Sequence, residues 1–509
     1  MENPFESGEN RLLRPPSTAM VIFGATGDLT QRKLLPALYN LAYDGFLPTD
    51  FIVIGASRTK LSDNAFREKC KASVEEHSRR PIEESVWQDF SKRIFYQPLH
   101  ATEKKDFEKL RKRLEDISLG GVDNFHFLFY LATSPNFFGP IAQNLKAVEL
   151  VVDPNSEDRR TILIVEKPFG HDLQSASELN RTLQTYLDEK QIYRIDHYLG
   201  KETVQNILVF RFSNGIFEPL WNRRYIDHIQ ISVCESIGVG TRSKYFDETG
   251  ILRDIIQNHL LQVLSLLCIE PPNSLSDADS IRDEKVKVLR ALKRFSSEDI
   301  DSRTVRGQYT SGFIASEPVI GYRQEANVAQ SSQTETFAAL TLEIENWRWA
   351  GVPIYIRAGK RLPKRITEIS VSFKPVPHSL FRGRDMPQIL PNLLTIQIQP
   401  REGISFRVNS KPPGPRMRAN PVVMDFLYND SYGVRSPEAY ERLLLDAMKG
   451  DATLFTRNDE IEEAWSFLEP LLDRWSSTEQ PVYAYEAGSW GPSQASSLLS
   501  PLGHRWRRL

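Results

Sequence analysis

The sequence has little cysteine, almost no net charge and no internal repeat. Its three cysteines, Cys70, Cys234 and Cys268, are far apart in a chain of 509 residues. So few and so scattered thiols argue against a disulfide framework and against a structural zinc site. The 64 Lys and Arg residues nearly cancel the 66 Asp and Glu residues, which leaves a net charge of −2. The chain therefore has no general attraction for nucleic acid or an anionic membrane, and any anionic ligand needs local basic groups.

Long hydrophobic runs are also missing. The longest nearly apolar run, residues 259–269, is too short to cross a bilayer and contains Gln262. The N-terminal segment MENPFESGEN is acidic and lacks the apolar stretch of a secretory signal. We expect a cytoplasmic protein with reduced thiols that contacts neither a membrane nor nucleic acid. Cys70 is the thiol expected to be exposed, because Cys234 and Cys268 fall in apolar surroundings.

What the sequence does have is enough apolar material for two globular domains. The chain is 40% hydrophobic and 26% charged, and its length exceeds what one ordinary core holds. Residues 1–18 contain three prolines and show no periodicity, which predicts a mobile tail. We predict a first domain over residues 19–200 and a second domain over residues 201–509.

The first domain has the pattern of a Rossmann-like fold. Compact apolar segments occur at residues 20–23, 51–55, 126–132 and 161–165, and amphipathic helical stretches separate them. Short apolar strands joined by helices indicate an α/β domain with a doubly wound parallel sheet covered on both faces. One of the covering helices is predicted over residues 173–187.

The pattern changes after the first domain. Four segments alternate apolar and polar residues in the manner of antiparallel strands, namely residues 229–233, 340–344, 369–373 and 394–398. One long helix is predicted among them, over residues 250–269. We therefore predict a larger α+β domain built on a big, mainly antiparallel sheet.

A turn with two glycines follows the first predicted strand. Gly24 and Gly27 in GATGDLTQRK permit close approach of a phosphate to backbone N–H groups at a helix start. The spacing G-x-x-G is only part of the dinucleotide fingerprint, and it fits an ordinary strand-to-helix turn as well. Arg58 stands near the end of the second strand, where an NAD site usually presents a carboxylate. An arginine there suits the 2′-phosphate of NADP, although a lone arginine is more often a surface residue.

Three further segments concentrate chemically active side chains. Lys167 in EKPFG comes directly after the strand at residues 161–165, so we expect it at the ligand-facing edge of the sheet. The segment RIDHYLGKE, residues 194–202, places a His, a Tyr and a Lys together, which can hold a phosphate dianion. In RDIIQNHLLQ, His259 enters a strongly apolar helix beside polar neighbours. Each segment also has a purely structural interpretation. EKPFG fits a strand-ending turn, RIDHYLGKE fits a helix N-cap, and His259 fits a buried core histidine.

The motifs GATGDLTQRK, EKPFG, RIDHYLGKE and RDIIQNHLLQ, in this order, resemble the glucose-6-phosphate dehydrogenase family. The resemblance extends from residue 21 to the end of the chain, and YRIDHYLGKETVQN and the terminal RWRRL look most like cyanobacterial members. It implies an NADP-dependent oxidoreductase that oxidises D-glucose 6-phosphate at C1 to 6-phospho-D-glucono-1,5-lactone. This is the first step of the oxidative pentose phosphate pathway. No metal is implied, because a hemiacetal C1 is already a good hydride donor.

The resemblance also implies roles for individual residues. His259 is the base that removes the proton of the C1 hydroxyl, and Asp196 orients this histidine. The substrate-binding residues are Lys167, His197, Tyr198, Lys201, Glu235, Asp254, Lys360 and Arg365, with Lys364 as the alternative to Arg365. The cofactor-binding residues are Gly24, Ala25, Thr26, Gly27, Asp28, Leu29, Thr30, Gln31, Arg58 and Lys167.

The resemblance further implies a homodimer or homotetramer formed through the large sheet and, for cyanobacterial members, association with a separate activator protein. Two rival functions remain to be compared. A short-chain dehydrogenase needs a Tyr-x-x-x-Lys pair, which Tyr186 and Lys190 supply in an amphipathic helix, but the glycine turn lacks that family's pattern. A catalytically silent sugar-phosphate binder is disfavoured by the intact Asp196, His259 and Lys201.

Overall fold

The computed structural model describes residues 14–118, 121–156, 158–380, 389–415, 417–433, 436–477 and 480–509. The chain divides into two compact units. The first unit comprises the chain up to Gly200 together with Ser274–Arg282 and Pro437–Glu462. The second unit comprises Lys201–Asn273, Asp283–Ser436 and Glu463–Leu509.

The observed units differ from the predicted domains in two places. The leading segment of the first unit ends at Gly200, but the predicted second domain, residues 201–509, is not one unit. Its segments Ser274–Arg282 and Pro437–Glu462 pack in the first unit. Contacts between distant segments decide which unit such a segment packs in, and the hydrophobic pattern of the sequence does not reveal these contacts. Of the predicted tail, residues 1–18, the first 13 residues lie outside the described part of the chain. A strand begins at Thr18, the last residue of the predicted tail.

The strands of the described chain are numbered in chain order. They are β1 (Thr18–Phe23), β2 (Phe51–Ser57), β3 (Ile94–Pro98), β4 (His126–Leu131), β5 (Thr161–Val165), β6 (Ile192–Ile195), β7 (Ile226–Cys234), β8 (Thr304–Thr310), β9 (Gly312–Ile314), β10 (Glu317–Val319), β11 (Phe337–Leu342), β12 (Ile354–Gly359), β13 (Ile366–Phe373), β14 (Leu393–Gln399), β15 (Gly403–Ser410), β16 (Asn420–Leu427), β17 (Phe455–Thr456) and β18 (Tyr483–Glu486).

The helices follow the same convention. The α-helices are α1 (Leu35–Tyr43), α2 (Asp63–His77), α3 (Glu84–Ser91), α4 (Lys104–Ile117), α5 (Phe138–Ala147), α6 (Leu173–Gln184), α7 (Glu202–Phe212), α8 (Ser243–Ile251), α9 (Leu261–Cys268), α10 (Ala278–Arg290), α11 (Ser297–Arg303), α12 (Tyr428–Tyr432), α13 (Ala439–Lys449) and α14 (Asn458–Ser476). Two segments are π-helical, Thr30–Leu34 and Leu252–Leu260.

A seven-stranded sheet forms the centre of the first unit. Its strand order is β17-β6-β5-β4-β1-β2-β3. Neighbouring strands are parallel except for β17, which pairs antiparallel with β6. Every residue of β1 and of β5 is buried, as expected for strands of a parallel sheet that is covered on both faces. The structure confirms the predicted Rossmann-like fold.

The second unit contains a nine-stranded sheet in the order β16-β15-β14-β13-β7-β12-β11-β8-β18. Most neighbours are antiparallel, while β12 pairs in parallel with β7 and β18 pairs in parallel with β8. The prediction of a large, mainly antiparallel sheet is confirmed. A separate two-stranded hairpin is formed by β9 and β10.

The long helix predicted over residues 250–269 is divided into three parts. The end of α8, a π-helix over Leu252–Leu260 and α9 follow one another. The side chain of Asn258 supports the wider turn, because Nδ2 donates to Arg253 O at 3.1 Å and Oδ1 accepts the N–H of His259 at 2.6 Å. Such local side-chain bonds compete with regular helical ones, and apolar spacing alone gave no sign of them.

Another predicted helix is shorter than expected. The helix predicted over residues 173–187 ends at Gln184. Tyr186 lies beyond this end, and Lys190 belongs to a separate 3₁₀ turn. The Tyr-x-x-x-Lys pair therefore does not lie on one helix, which removes the geometric basis of the short-chain dehydrogenase alternative.

All three cysteines are buried and none forms a disulfide. The expectation that Cys70 is exposed was wrong, because α2 buries one face that includes Phe66, Cys70 and Val74. Burial raises the pKa of Cys70, that of Cys234 to about 11 and that of Cys268 to about 12. Among the described residues, no helix has both the length and the apolar character needed to cross a membrane.

Candidate functional site

The predicted cofactor turn of the first unit lies directly after β1. Gly24 has a φ of +89°, and a Cβ at this position would strike the backbone oxygen of Ala132. The N–H groups of Gly24 and Ala25 donate to Ala56 O at 2.9 and 3.2 Å, and that of Gly27 donates to Gly24 O at 2.9 Å. These three N–H groups shape the turn, and glycine is the residue that fits at position 24.

Side chains hold the same turn from within. The hydroxyl of Thr30 donates to Gly24 O at 3.2 Å, and Nε2 of Gln31 donates to Thr26 O at 3.1 Å. The hydroxyl of Thr26 donates to that of Ser57 at the end of β2, at 3.3 Å. The turn is therefore fixed by its own residues. It leads into a helix, whose N-terminal end favours a bound phosphate.

Two of the predicted cofactor residues are exposed. Arg58 follows β2 directly and is exposed. The neighbouring backbone is held by Tyr96, whose hydroxyl donates to Thr59 O at 2.6 Å. The carboxylate of Asp28 accepts from Nε of Arg32 at 2.7 Å, an exposed pair that adds little to stability. The end of β2 thus exposes the cationic side chain of Arg58 next to backbone that Tyr96 holds in place.

A buried carboxylate precedes Lys167 at the end of β5. Oε1 of Glu166 accepts the hydroxyl of Tyr130 at 2.5 Å and that of Tyr440 at 3.1 Å. Burial raises the pKa of Glu166, while the two tyrosine hydrogen bonds and the charge of Lys167 oppose this rise. Burial also raises the pKa of Tyr440. Lys167 itself is half-buried and is attached to this fixed residue.

The end of β6 brings further predicted residues to the same edge, because β6 pairs in parallel with β5. Asp196 is buried, and its Oδ1 accepts the N–H of Tyr198 at 2.9 Å. The ring of His197 meets that of Tyr198 edge-on with centroids 5.1 Å apart. It is also parallel to the ring of Tyr440, at 6.5 Å and 9°. Tyr440 therefore contacts both Glu166 and His197.

Sequence reasoning missed Tyr440. It lies in α13, 274 residues after Glu166, in a segment that the sequence assigned to the second domain. A tyrosine near the start of an amphipathic helix carries no signal of its own. The packing of Pro437–Glu462 in the first unit is what places it beside His197.

In the second unit, the π-helix carries two predicted site residues. Asp254 is 6% exposed and His259 is 1% exposed. Gln257, on the same helix, is also buried. π-Helical segments are rare and occur frequently at functional sites. The local geometry thus favours a functional histidine over an ordinary core histidine in a regular helix.

The ends of β7 and β12 carry an ion pair. These strands are parallel with Cys234 opposite Gly359, so the residues that follow them meet. Nζ of Lys360 lies 2.5 Å from Oε2 of Glu235 and 5.0 Å from the ring centroid of Phe246. Lys360 is 7% exposed. The pair places one cation and one carboxylate together at a mostly buried position, where charges interact strongly.

A second polar group of this unit is centred on Gln399, at the end of β14. Its Oε1 accepts from Nζ of Lys201 at 2.9 Å and from a guanidinium nitrogen of Arg365 at 3.3 Å. Its Nε2 donates to the hydroxyl of Thr367 at 2.9 Å. Both Arg365 and Lys364 are exposed, and it is Arg365 that makes this contact. Sequence reasoning missed Gln399, because a polar residue at a strand end gives no distinctive signal.

A histidine cluster of the second unit, apart from the predicted site residues, has the residue types of a metal site. Asp227, His228 and His504 place potential ligand atoms within 4.8 Å of one another. The amide of Gln230 is fixed by the backbone of the C-terminal segment, since it donates to Arg505 O and accepts the N–H of residue 507. Its N–H therefore faces Nε2 of His228, so that Nδ1 carries the proton that Asp227 accepts. Nε2 of His504 lies 3.1 Å from the same oxygen of Asp227, so this carboxylate links the two histidines.

Family models match nearly the whole chain. The model described as glucose-6-phosphate dehydrogenase, NAD binding domain, matches residues 21–206. The model described as glucose-6-phosphate dehydrogenase, C-terminal domain, matches residues 208–507.

Individual relatives and a solved structure agree with these matches. Glucose-6-phosphate 1-dehydrogenase of Aggregatibacter actinomycetemcomitans is 48% identical over 497 residues, which are 97% of this chain and 98% of the relative. The enzyme of the same name from Chlamydia muridarum is 45% identical over 511 residues, covering 100% of both chains. A glucose-6-phosphate dehydrogenase solved in complex with its substrate glucose-6-phosphate has a TM-score of 0.88 and 36% identity, covering 97% of this chain and 99% of that one. The chain belongs to the glucose-6-phosphate dehydrogenase family.

Proposed function

We infer that this chain oxidises D-glucose 6-phosphate at C1 to 6-phospho-D-glucono-1,5-lactone with hydride transfer to NADP, the first step of the oxidative pentose phosphate pathway. The observation that carries this conclusion is similarity along the whole chain, 48% and 45% identity, to relatives named glucose-6-phosphate 1-dehydrogenase. The matching solved structure, in complex with glucose-6-phosphate, supports the substrate.

The first unit fits a bound NADP. The turn at Gly24 is closed by backbone bonds and excludes a Cβ, and it leads into a helix start. Arg58 is exposed at the end of β2, and no carboxylate stands at residues 57–60. We assign the pyrophosphate to the segment from Gly24 to Gln31 and the 2′-phosphate to Arg58. When bound, NADP supplies the hydride acceptor.

His259 is proposed as the general base. A neutral imidazole can take the proton of the C1 hydroxyl near neutral pH. The proposal is supported by the burial of His259 and by its π-helix. Family resemblance assigns Asp196 to orient the imidazole and to stabilise its cation. The buried carboxylate of Asp196 has one oxygen engaged by the N–H of Tyr198.

The remaining polar residues are proposed to bind the sugar phosphate. His197, Tyr198 and Lys201 are assigned to the phosphate, and Lys167 to both substrate and cofactor. Glu235, Asp254, Lys360 and Arg365 are assigned to the sugar. Support comes from the ion pair of Lys360 with Glu235 and from the contacts of Lys201 and Arg365 with one amide oxygen. Because the amide of Gln399 is neutral, it does not cancel the positive charge of Lys201, which suits the substrate phosphate.

We also propose a cytoplasmic homodimer or homotetramer. The edge strand β16 supports assembly through the large sheet, because Val422, Val423 and Met424 are 41%, 56% and 55% exposed. The similarity to cyanobacterial members rests on YRIDHYLGKETVQN and RWRRL alone. Association with a separate activator protein is proposed on that similarity.

The function is tested by mixing the purified protein with NADP and D-glucose 6-phosphate and following NADPH by its near-ultraviolet absorbance. We expect reduction that depends on both compounds and on the phosphate group of the sugar. Calorimetric binding of the sugar phosphate without any reduction would instead favour a catalytically silent binder.

A further inference from the structure

The helix that carries His259 is capped by a residue from a distant part of the second unit. Glu335 lies just before β11, 83 residues after Leu252. Its Oε1 accepts the N–H of Leu252 at 3.1 Å, and its backbone O accepts the N–H of Ile251 at 3.0 Å. The first N–H groups of a helix have no partner within that helix. Glu335 therefore satisfies two donors at the start of the π-helical segment.

The backbone break that creates this helix start is at Gly250. Its φ is +70° and its ψ is 171°, which is not helical. A Cβ at this position would strike the carboxylate of Glu335. Another residue would both strain the backbone and displace the carboxylate. Gly250 and Glu335 are thus sterically matched.

The carboxylate of Glu335 is buried, and nearby positive charges act on it. The residue is 6% exposed. Burial raises the pKa of Glu335, while the hydrogen bond from Leu252 and the charges of Arg253 and Arg306 oppose this rise. A carboxylate at a helix N-terminus is also stabilised by the helix dipole.

The next residue, Thr336, anchors a second candidate group. Its backbone O accepts the N–H of Lys360 at 2.9 Å. The hydroxyl of Tyr485 donates to Lys360 O at 2.7 Å and is 2.9 Å from the hydroxyl of Thr336. Two consecutive residues therefore fix both the start of the helix that bears His259 and the backbone of Lys360.

We propose that Glu335 is a positioning residue that sets the placement of His259 by fixing the start of its helix. The proposal rests on the proposed function, because it concerns the base of that reaction. Glu335 acts through the backbone of the helix and through no reacting atom. A misplacement of about 1 Å in a catalytic group can cost about 10²-fold in rate. Loss of the cap frees the first turn to shift, and His259 moves with it.

The test compares Glu335→Ala, Glu335→Gln and Glu335→Asp with the native protein. We expect kcat to fall by about 10- to 100-fold in Glu335→Ala, with a KM for NADP close to native. Glu335→Gln keeps an acceptor at the same reach and should recover most of kcat. Glu335→Asp is one methylene too short, so its kcat should lie well below that of the Gln variant. Hydrogen exchange of residues 252–260 should be faster in the Ala and Asp variants.

The matched control is Glu368→Ala. Glu368 is a buried carboxylate of the same unit that accepts from Arg507 and Ser370. Glu368→Ala should lower thermal stability but leave kcat close to native. Hydrogen exchange of residues 252–260 should remain as slow as in the native protein. Equal kcat losses in Glu335→Ala and Glu368→Ala, or unchanged exchange in Glu335→Ala, would overturn the proposal. If the Ala variant does not fold, equal kcat and exchange in the Gln and Asp variants overturn it. Failure of the proposed function shows separately, as absence of activity in the native protein.

Discussion

The two units present their candidate residues in different ways. In the first unit, Gly24, Lys167 and Asp196 follow neighbouring or nearby strands of one parallel sheet, so that motif and strand end coincide. In the second unit, His259 lies on a π-helix whose start is held by Glu335, 83 residues after Leu252 in the chain. Strand-end sites are visible in sequence patterns. The dependence of a helix-borne residue on a distant cap becomes visible only in the structure.

We expect the chemical step to depend most on His259, the residue carried by the π-helix. His259→Asn keeps a polar side chain but removes the proton acceptor, so kcat should fall by about 10²- to 10⁴-fold. The KM for glucose 6-phosphate should change little, because the residues assigned to the phosphate are intact. Steady-state kinetics with a folding check by circular dichroism measures this. His504→Asn, a half-buried histidine of the same unit, is the control, and near-normal kcat in His259→Asn would leave His197 as the next candidate base.

A binding residue should give the opposite kinetic pattern. Lys201→Ala removes a cation assigned to the substrate phosphate and should raise the KM for glucose 6-phosphate by about 10- to 100-fold, with a smaller change in kcat. Gln399→Ala, which frees Lys201 from its acceptor, should raise KM less. Lys374→Ala, an exposed lysine of the same unit, serves as the control. A loss confined to kcat in Lys201→Ala would place this lysine in the chemical step.

The first unit should decide which nucleotide is used. Arg58→Ala should raise the KM for NADP by about tenfold while leaving that for NAD nearly unchanged, because the 2′-phosphate distinguishes the two nucleotides. Lys60→Ala, an exposed cation two residues further on, is the matched control. Equal losses for NADP and NAD would show that Arg58 holds no 2′-phosphate.

Much of the fold could be predicted from the sequence, because buried parallel strands are short apolar runs. The strands at residues 51–55, 126–132 and 161–165 were found in this way. β17 was missed because it has two residues and joins the first unit from Pro437–Glu462. Tyr440 was missed for the same reason, since long-range packing leaves no local pattern.

The candidate site, like the fold, could be predicted from the sequence only in part. The π-helix over Leu252–Leu260 was predicted as regular helix, because nine residues of apolar spacing do not separate the two periods. The fingerprint at Gly24 was only partial, and the side-chain bonds that complete its turn became visible in three dimensions. Family resemblance supplied residue roles that composition and spacing alone left open.

A smaller effect concerns stability in the first unit. Burial raises the pKa of Asp446 to about 6 from its ordinary 3.8. Between these pH values the folded state holds a proton that the unfolded state has lost, so stability falls as pH rises and stays lower at neutral pH. The side chain in Asp446→Asn cannot ionise. The free energy of unfolding of this variant should be about 1–3 kcal/mol higher than native at neutral pH, with little difference near pH 4. The gain is smaller than the pKa shift alone would give, because Asp446→Asn also deprives Arg442 of its carboxylate partner.

Denaturant unfolding at several pH values measures the effect of Asp446. Asp89 is an exposed carboxylate on α3 that is paired with Arg93, and Asp89→Asn should change stability little at any pH. A destabilisation by Asp446→Asn at neutral pH would mean that the ion pair with Arg442 outweighs the cost of burying the charge.

The pH dependence of kcat in the native protein and in His259→Asn shows whether His259, on the π-helix of the second unit, accepts the proton. We expect native kcat to fall towards acid pH with the slope of a single proton, as the base becomes protonated. The residual kcat of His259→Asn should be flat over the same range. An acid limb of unchanged position and slope in His259→Asn would show that a group other than His259 accepts the proton.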